Sequence, residues 1–320
     1  MSDQRVFGCD PELGVFEKGT NNIVPPASLI RDYNFDFTLN SRGKRTLLTT
    51  DRGLVIEDGA AIELNPNPGT PEEVVDNVSS LIKQFDTLLK SRVKETLVVD
   101  KTRVHGLFDT SKYWDGQDEN FRDCVRAGCD PDEVPGIYEM LKLDKSVGEV
   151  DLSNNPDRFF GGHAHCQNMS SNSDIYINNR DTATVVFDFL VGTANVFLVG
   201  RLPNVIKDEK LRLSVYGRPG RFRIQKYSDK INGIEYRPLS NQWIINSRTS
   251  THKVFNLLNT ACNVVEWGLS TVFVDQLYDK IPLLWSSLKT YNIEKCRDLF
   301  NDAQALLVEI GITSLDDAGV

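Results

Sequence analysis

Ionisable side chains at every second position, inside segments that otherwise read as β-strands, constrain this chain of 320 residues more than any other feature. A strand turns successive side chains to opposite faces, so residues two apart share one. In Gly8-Cys9-Asp10-Pro11-Glu12 an extended backbone puts both carboxylates on the same side. Read as one strand, the run from Val55 to Asn65 places Glu57, Ala61 and Glu63 on one face and Ile62 and Leu64 on the other. In Gly161-Gly162-His163-Ala164-His165 the two imidazoles share a face, and the glycines permit close approach. Arg221 and Arg223 on one strand, and Glu235 and Arg237 on the next, repeat the spacing across a hairpin through Ser228-Asp229-Lys230-Ile231-Asn232. Such strands predict a sheet that buries one face against helices and leaves the other for charge.

An isolated Asp-x-Glu or Glu-x-Arg is most often a solvated sheet face. Arginines and a glutamate on paired strands can also form an ion-pair ladder worth about a few tenths of a kcal/mol per pair. The flanking residues argue against both readings. Glu63 lies between Ile62 and Leu64, and Glu235 between Ile234 and Tyr236, so neither strand reads as peripheral. Carboxylates gathered in a half-buried place repel unless cations neutralise them. A hard divalent ion such as Mg²⁺ prefers carboxylate oxygen and tolerates an imidazole among its ligands. Arginines on the same face stay charged and present a fork suited to phosphate. Carboxylates for metal and arginines for phosphate point to nucleotide chemistry on a sheet. No GxxxxGK[ST] loop is present and no GxGxxG follows the first strand, so strands and arginines would hold the nucleotide. Gly217-Arg218-Pro219-Gly220-Arg221 is the one glycine–arginine cluster of that kind.

The rest of the chain supplies the scaffold. A strand over 5–13 is followed by a loop through Pro25 and Pro26, then a hairpin of Thr46–Thr50 and Leu54–Leu64 about Asp51-Arg52-Gly53. Thr70-Pro71-Glu72-Glu73 is a helix start with an N-cap threonine and a capping-box glutamate. Val74, Val78, Leu81, Phe85 and Leu88 then recur at helical spacing to about Arg92. Residues 105–158 read as poorly structured, with loops over 113–119 and 143–157 and a short helix near 121–128, and are the candidate lid or substrate loop. A second amphipathic helix is expected over 181–199, with Val186, Phe189, Leu190, Thr193 and Phe197 on one stripe. After Ser250 the pattern is mainly helical to about Ile310, with a frayed end. Lys+Arg 36 against Asp+Glu 45 gives −9, which disfavours nucleic acid and anionic membrane as partners. The run around Val185–Val199, broken by Asp188, Gly192 and Asn195, reads as too short for a membrane span. MSDQRVFGCD shows no signal peptide, and six cysteines without a CxxC read as reduced thiols, so a cytoplasmic location is expected.

Four of these motifs, taken in order, resemble those of the glutamine synthetase-like carboxylate–amine ligases, which include glutamate–cysteine ligases. They are Phe7-Gly8-Cys9-Asp10-Pro11-Glu12, Ile62-Glu63-Leu64-Asn65-Pro66, Gly161-Gly162-His163-Ala164-His165 and Ile234-Glu235-Tyr236-Arg237. The combination most resembles the phage- and bacteria-associated amidoligases called carboxylate–amine ligase type 2, over about residues 5–245. The resemblance implies an α+β glutamine synthetase-like fold, a curved, mostly antiparallel sheet with helices on its outer face. It implies a catalytic domain over 1–249 and a helical segment over 250–320 packed on it. It also implies ATP and Mg²⁺ (or Mn²⁺) as cofactors, and a small-molecule or peptide carboxylate and an amine as substrates. Localisation would be cytoplasmic, in the host cytoplasm if phage-encoded. Carried over by position, Asp10, Glu12, Glu63 and Glu235 would be metal ligands, joined by one of His163 and His165, with Glu57 as an extra carboxylate and Asp58 competing for that place. Arg223 and Arg237 would contact the transferring phosphate, and Arg218 or Arg221 the nucleotide tail. Leu13 replaces an aromatic common after the first motif, and Gly233 stands where glutamine synthetase has an arginine two before the final-strand glutamate. A metal-dependent hydrolase using His-x-His and carboxylates, and a non-catalytic binding protein that kept the fold, are the rival classes.

Overall fold

Alternating charge and apolar side chains resolve into one antiparallel sheet of eight strands. The computed structural model describes residues 4–93, 96–113, 119–127, 134–144, 150–199, 203–215, 217–227 and 232–312. The expected turn at 228–231, the frayed end beyond 312, Cys129 and the gaps within 105–158 lie outside the described residues. In chain order the sheet strands are β1 Phe7–Leu13, β2 Thr38–Leu39, β3 Arg45–Thr50, β4 Gly53–Asp58, β5 Ala61–Pro66, β6 Gly162–Gln167, β7 Phe222–Lys226 and β8 Asn232–Tyr236. Across the sheet they run β7-β8-β6-β1-β5-β4-β3-β2. Strand β1 is central because it pairs with β6 through Phe7–Pro11 and with β5 through Glu12 and Leu13.

The expected single strand over 54–64 is two strands. Asp58 and Ala61 face each other across a tight turn, with Gly59 at φ +57°, so β4 and β5 form a second hairpin. Asp-Gly is a strong hairpin signal because the turn requires positive φ. The chain reverses there, which moves Glu57 to the face opposite Glu63.

One face of the sheet is apolar. Cys9, Leu13, Ile62, Leu64, Cys166, Ile234 and Tyr236 lie in the main core, beneath a layer of helices. Helix α1 (Pro71–Val93) begins with a reciprocal capping box. The Glu73 carboxylate accepts from the Thr70 backbone N–H at 2.8 Å, and Thr70 Oγ1 accepts from the Glu73 N–H at 3.3 Å. Helix α2 runs over Arg180–Val199, and every residue from Ala183 onward is buried rather than one stripe alone. Its 20 residues are long and apolar enough to cross a membrane by length and composition, and almost all of that length is buried inside the fold. Helix α3 (Arg248–Glu266) completes the layer, followed by α4 Ser270–Gln276, α5 Ile281–Lys289 and α6 Ile293–Glu309. Buried residues of α3–α6 and of the sheet form one continuous apolar core.

The described parts of 105–158 are better structured than their polarity suggests. His105–Leu107 pairs with Asp157–Phe159. Phe16, Phe108, Tyr113, Phe121 and Phe160 make a second apolar cluster. The buried Arg158 guanidinium donates to the carbonyls of Cys124 (2.7 Å), Asn155 (2.5 Å) and Asp157 (2.8 Å), tying this region together.

Candidate functional site

The opposite face of the sheet carries the charge, and the strand register assembles it. Asp10 stands opposite His163, His165 opposite Glu235, Glu235 opposite Arg223, and Glu12 opposite Glu63. Directly opposed residues of antiparallel strands share a face, as do residues two apart on one strand. These pairs therefore join Asp10, Glu12, Glu63, His163, His165, Arg223, Glu235 and Arg237 on a single surface. Gly162 lets the segment after β8 close over its edge. A Cβ there would meet the Ser240 carbonyl oxygen at 2.7 Å, and Trp243 Nε1 donates to the Gly162 carbonyl at 2.6 Å.

At the centre, Asp10 Oδ1 accepts from the His163 backbone N–H at 2.9 Å. Its Oδ2 lies 3.2 Å from His165 Nε2 and 3.3 Å from His163 Nδ1. Burial works against the Asp10 carboxylate, but the two imidazoles outweigh it and hold the group below the usual range. Glu235 is opposed by burial in the same way and is held down by His163 and Arg237. It is bonded to Arg237 and to Gln225, and His163 Nδ1 lies 3.3 Å from it. Burial and Arg237 disfavour protonation of His163, yet Asp10 and Glu235 raise it well above the ordinary imidazole range. His165 completes a donor set, because its nitrogen and carboxylate oxygens of Asp10 and Glu235 all lie within 4.8 Å of one another. That span is close to the ~4 Å between opposite oxygens about Mg²⁺, so the donor set fits a hard divalent ion with slight contraction.

Glu12 and Glu63 extend the acidic surface toward β4. The Glu12 Oε2 atom accepts from the Gly161 N–H at 2.7 Å, and Glu63 Oε1 from Asn65 Nδ2 at 2.5 Å. Burial, with Asp58 next, pushes Glu12 up to about 7 and Glu63 well above the carboxylate range. Crowded carboxylates raised in this way are what a cation relieves.

The structure does not bring Glu57 to this surface. It stands opposite Ile62 on the helix side and is ion-paired with Arg45. The hairpin reversal is the reason. Asp58, the competing choice, faces the site and pairs with Lys44 at 2.5 Å. Arg223 lies 3.9 Å from Glu235. Arg218 and Arg221 flank the buried Asp144 carboxylate, at 3.4 and 3.2 Å. Gln225, Lys44 and Asp144 escaped the sequence reading. Only Gln225 had a signal, as the next alternate residue after Arg221 and Arg223. The other two reach the site from neighbouring segments.

No protein-family model matches the sequence, and no curated protein does. Solved structures similar to the chain at low level include the following two. One is described as a novel glutamine synthase homolog, at 10% identity and TM-score 0.39, over 98% of this chain and 69% of the other. The second is a bifunctional glutathione synthetase from Pasteurella multocida, at 10% identity and TM-score 0.39, over 96% of this chain and 49% of the other.

Proposed function

We propose that this chain is an ATP- and Mg²⁺-dependent carboxylate–amine ligase that forms an amide or isopeptide bond on a small molecule or peptide. The observation that carries the reading is the convergence of Asp10, His165 and Glu235 within 4.8 Å on a face that also bears Arg237 and Arg223. The order of the four motifs supports it independently. Asp10, His165 and Glu235 would hold the divalent ion, with Glu12 and Glu63 beside it. A bound ion there would supply positive charge that offsets the repulsion between phosphate and carboxylate.

The chain's own residues account for the rest. Arg237 is buried, braced by Glu235, and beside His163 at 3.2 Å, so its fork is held rigidly and costs little reorganisation. Arg223 is more open and approaches from β7. Together they would bind the transferring phosphoryl group. The acceptor oxygen attacks the γ-phosphorus, the bond to the ADP oxygen breaks, and an acyl phosphate results. The amine nitrogen then attacks the carbonyl carbon, phosphate leaves with the C–O electron pair, and one proton is released. Water would hydrolyse the acyl phosphate, so the site must exclude it during turnover.

The test is to incubate the protein with ATP, Mg²⁺ and mixed amino acids or short peptides, following ADP and product mass. The ligase reading expects ADP only when acceptor and amine are both present, with a product lighter by one water than their sum. Amide hydrolysis without ATP would instead favour the metal-dependent hydrolase.

A further inference from the structure

Behind the charged face, one buried carboxylate touches three segments that serve it. Helix α2 leaves the α-helical pattern over Asp188–Gly192 to make a π-helical turn, and Asp188 heads that turn with no exposed surface. Such turns insert an extra residue and recur at functional sites. Asp188 Oδ1 accepts from the Tyr236 hydroxyl and Oδ2 from the Tyr138 hydroxyl, both at 2.6 Å. The Gly220 backbone N–H is the third donor.

Each donor leads to the site. Tyr236 lies between Glu235 and Arg237 on the last strand, its side chain on the helix face and theirs on the charged one. Gly220 immediately precedes Arg221. Tyr138 belongs to the helix Gly136–Met140, and the chain beyond it brings Asp144 to Arg218 and Arg221. The space is shaped around these contacts. A Cβ at Gly192 would lie 2.7 Å from the Tyr236 hydroxyl, and one at Gly220, whose φ is +80°, would lie 2.5 Å from the Tyr138 ring. A core in this place needs no carboxylate, and an unpaired buried charge is costly. Burial pushes the Asp188 carboxyl up to about 6 even with three donors working to lower it.

We infer that Asp188 is a positioning residue, which holds the Arg218–Arg221 loop, the segment carrying Asp144 and the Glu235–Arg237 strand end in one arrangement from behind the sheet. Its effect on nucleotide binding rests on the ligase reading; its mechanical role does not. An amide at this position offers one oxygen and an NH₂ group, so in Asp188→Asn at least one of the three donors loses its acceptor.

Hydrogen exchange on the full chain tests the role directly. In Asp188→Asn, amide exchange across 217–223 should rise by about tenfold or more, while α3 stays within about twofold of wild type, because the opening is local rather than global. Tyr138→Phe removes one donor, keeps the ring against Gly220, and should give the same local pattern if Asp188→Asn folds poorly. MgATP affinity, measured by calorimetry, should fall by about tenfold in both variants, the scale of one lost charge-assisted hydrogen bond. Exchange that rises uniformly across sheet and helices, or stays unchanged at 217–223, would overturn the inference. Wild-type protein that takes up no MgATP would remove the ligase reading, and the exchange pattern would still decide what Asp188 does.

Discussion

Glu235 is the residue on which the charged face turns, since Arg237, Gln225 and His163 all reach it. The Arg237 guanidinium is as buried as its partner. The exposed ion-pair ladder weighed from the sequence therefore does not describe this pair. Removing one partner of a buried pair leaves an uncompensated charge and costs about 3–5 kcal/mol. Glu235→Gln should thus melt lower and bind Mn²⁺ more weakly. Arg237→Lys keeps the charge and loses the fork. It should cost only about 1–2 kcal/mol of stability while turnover falls about a hundredfold. Wild-type turnover in a folded Arg237→Lys protein, with melting followed in parallel, would mark the pair as scaffold. Asp188 offers a test in pH. Its carboxyl is raised from an ordinary 3.8 to about 6 in the fold. Between those values the folded state holds more protons than the unfolded one, so stability falls as pH rises through that window. The contribution is at most about 3 kcal/mol. Asp188→Asn should flatten that part of the melting-temperature profile relative to wild type, and an unchanged slope between pH 4 and 6 would contradict the assignment.

The elements differ in how much of themselves the sequence exposed. Helix α1 was legible in full, because a capping box, a proline in the first turn and a regular apolar stripe all agree. Strands β1, β6, β7 and β8 were legible from charge alternation, and their register follows once one face must be buried. The β4–β5 hairpin was not, although Asp58-Gly59 marks it, because the apolar residues on both sides of the turn read as one run. The difference carries straight to the site, since a single strand would put Glu57 on the same face as Glu63, and the hairpin puts it on the other. It also yields a paired test. Asp58→Asn should change Mn²⁺ affinity, because Asp58 acts on both Glu12 and Glu63. Glu57→Gln should leave that affinity alone and cost some stability through Arg45. Calorimetric titration of the two variants separates them, and the reverse ranking would contradict the hairpin register. The π-helical turn in α2 had no signal, because one extra residue hardly disturbs an apolar pattern that is buried all round.

At the scale of the whole molecule, an apolar core and an acidic surface lie on opposite sides of one sheet, and a second small cluster sits at its end. The described parts of 105–158 could not be read because their order comes from contacts distant in sequence, such as the Leu107 N–H with the Asn21 carbonyl and Arg158 with the Cys124 carbonyl. Arg158→Leu should loosen that region alone, so limited proteolysis is expected to cut near 119–127 or 150–156 before it reaches the sheet or α3. Cleavage spread evenly along the chain would deny the region its separate cohesion. The proposed binding of metal and phosphate on the charged face can be observed by loading both. Crystals grown with Mn²⁺ and a non-hydrolysable ATP analogue, and measured at the manganese absorption edge, test it most directly. An anomalous peak is expected among Asp10, His165 and Glu235, with analogue phosphate against Arg237. A peak elsewhere, or an acidic face left empty at saturating Mn²⁺ and analogue, would contradict it.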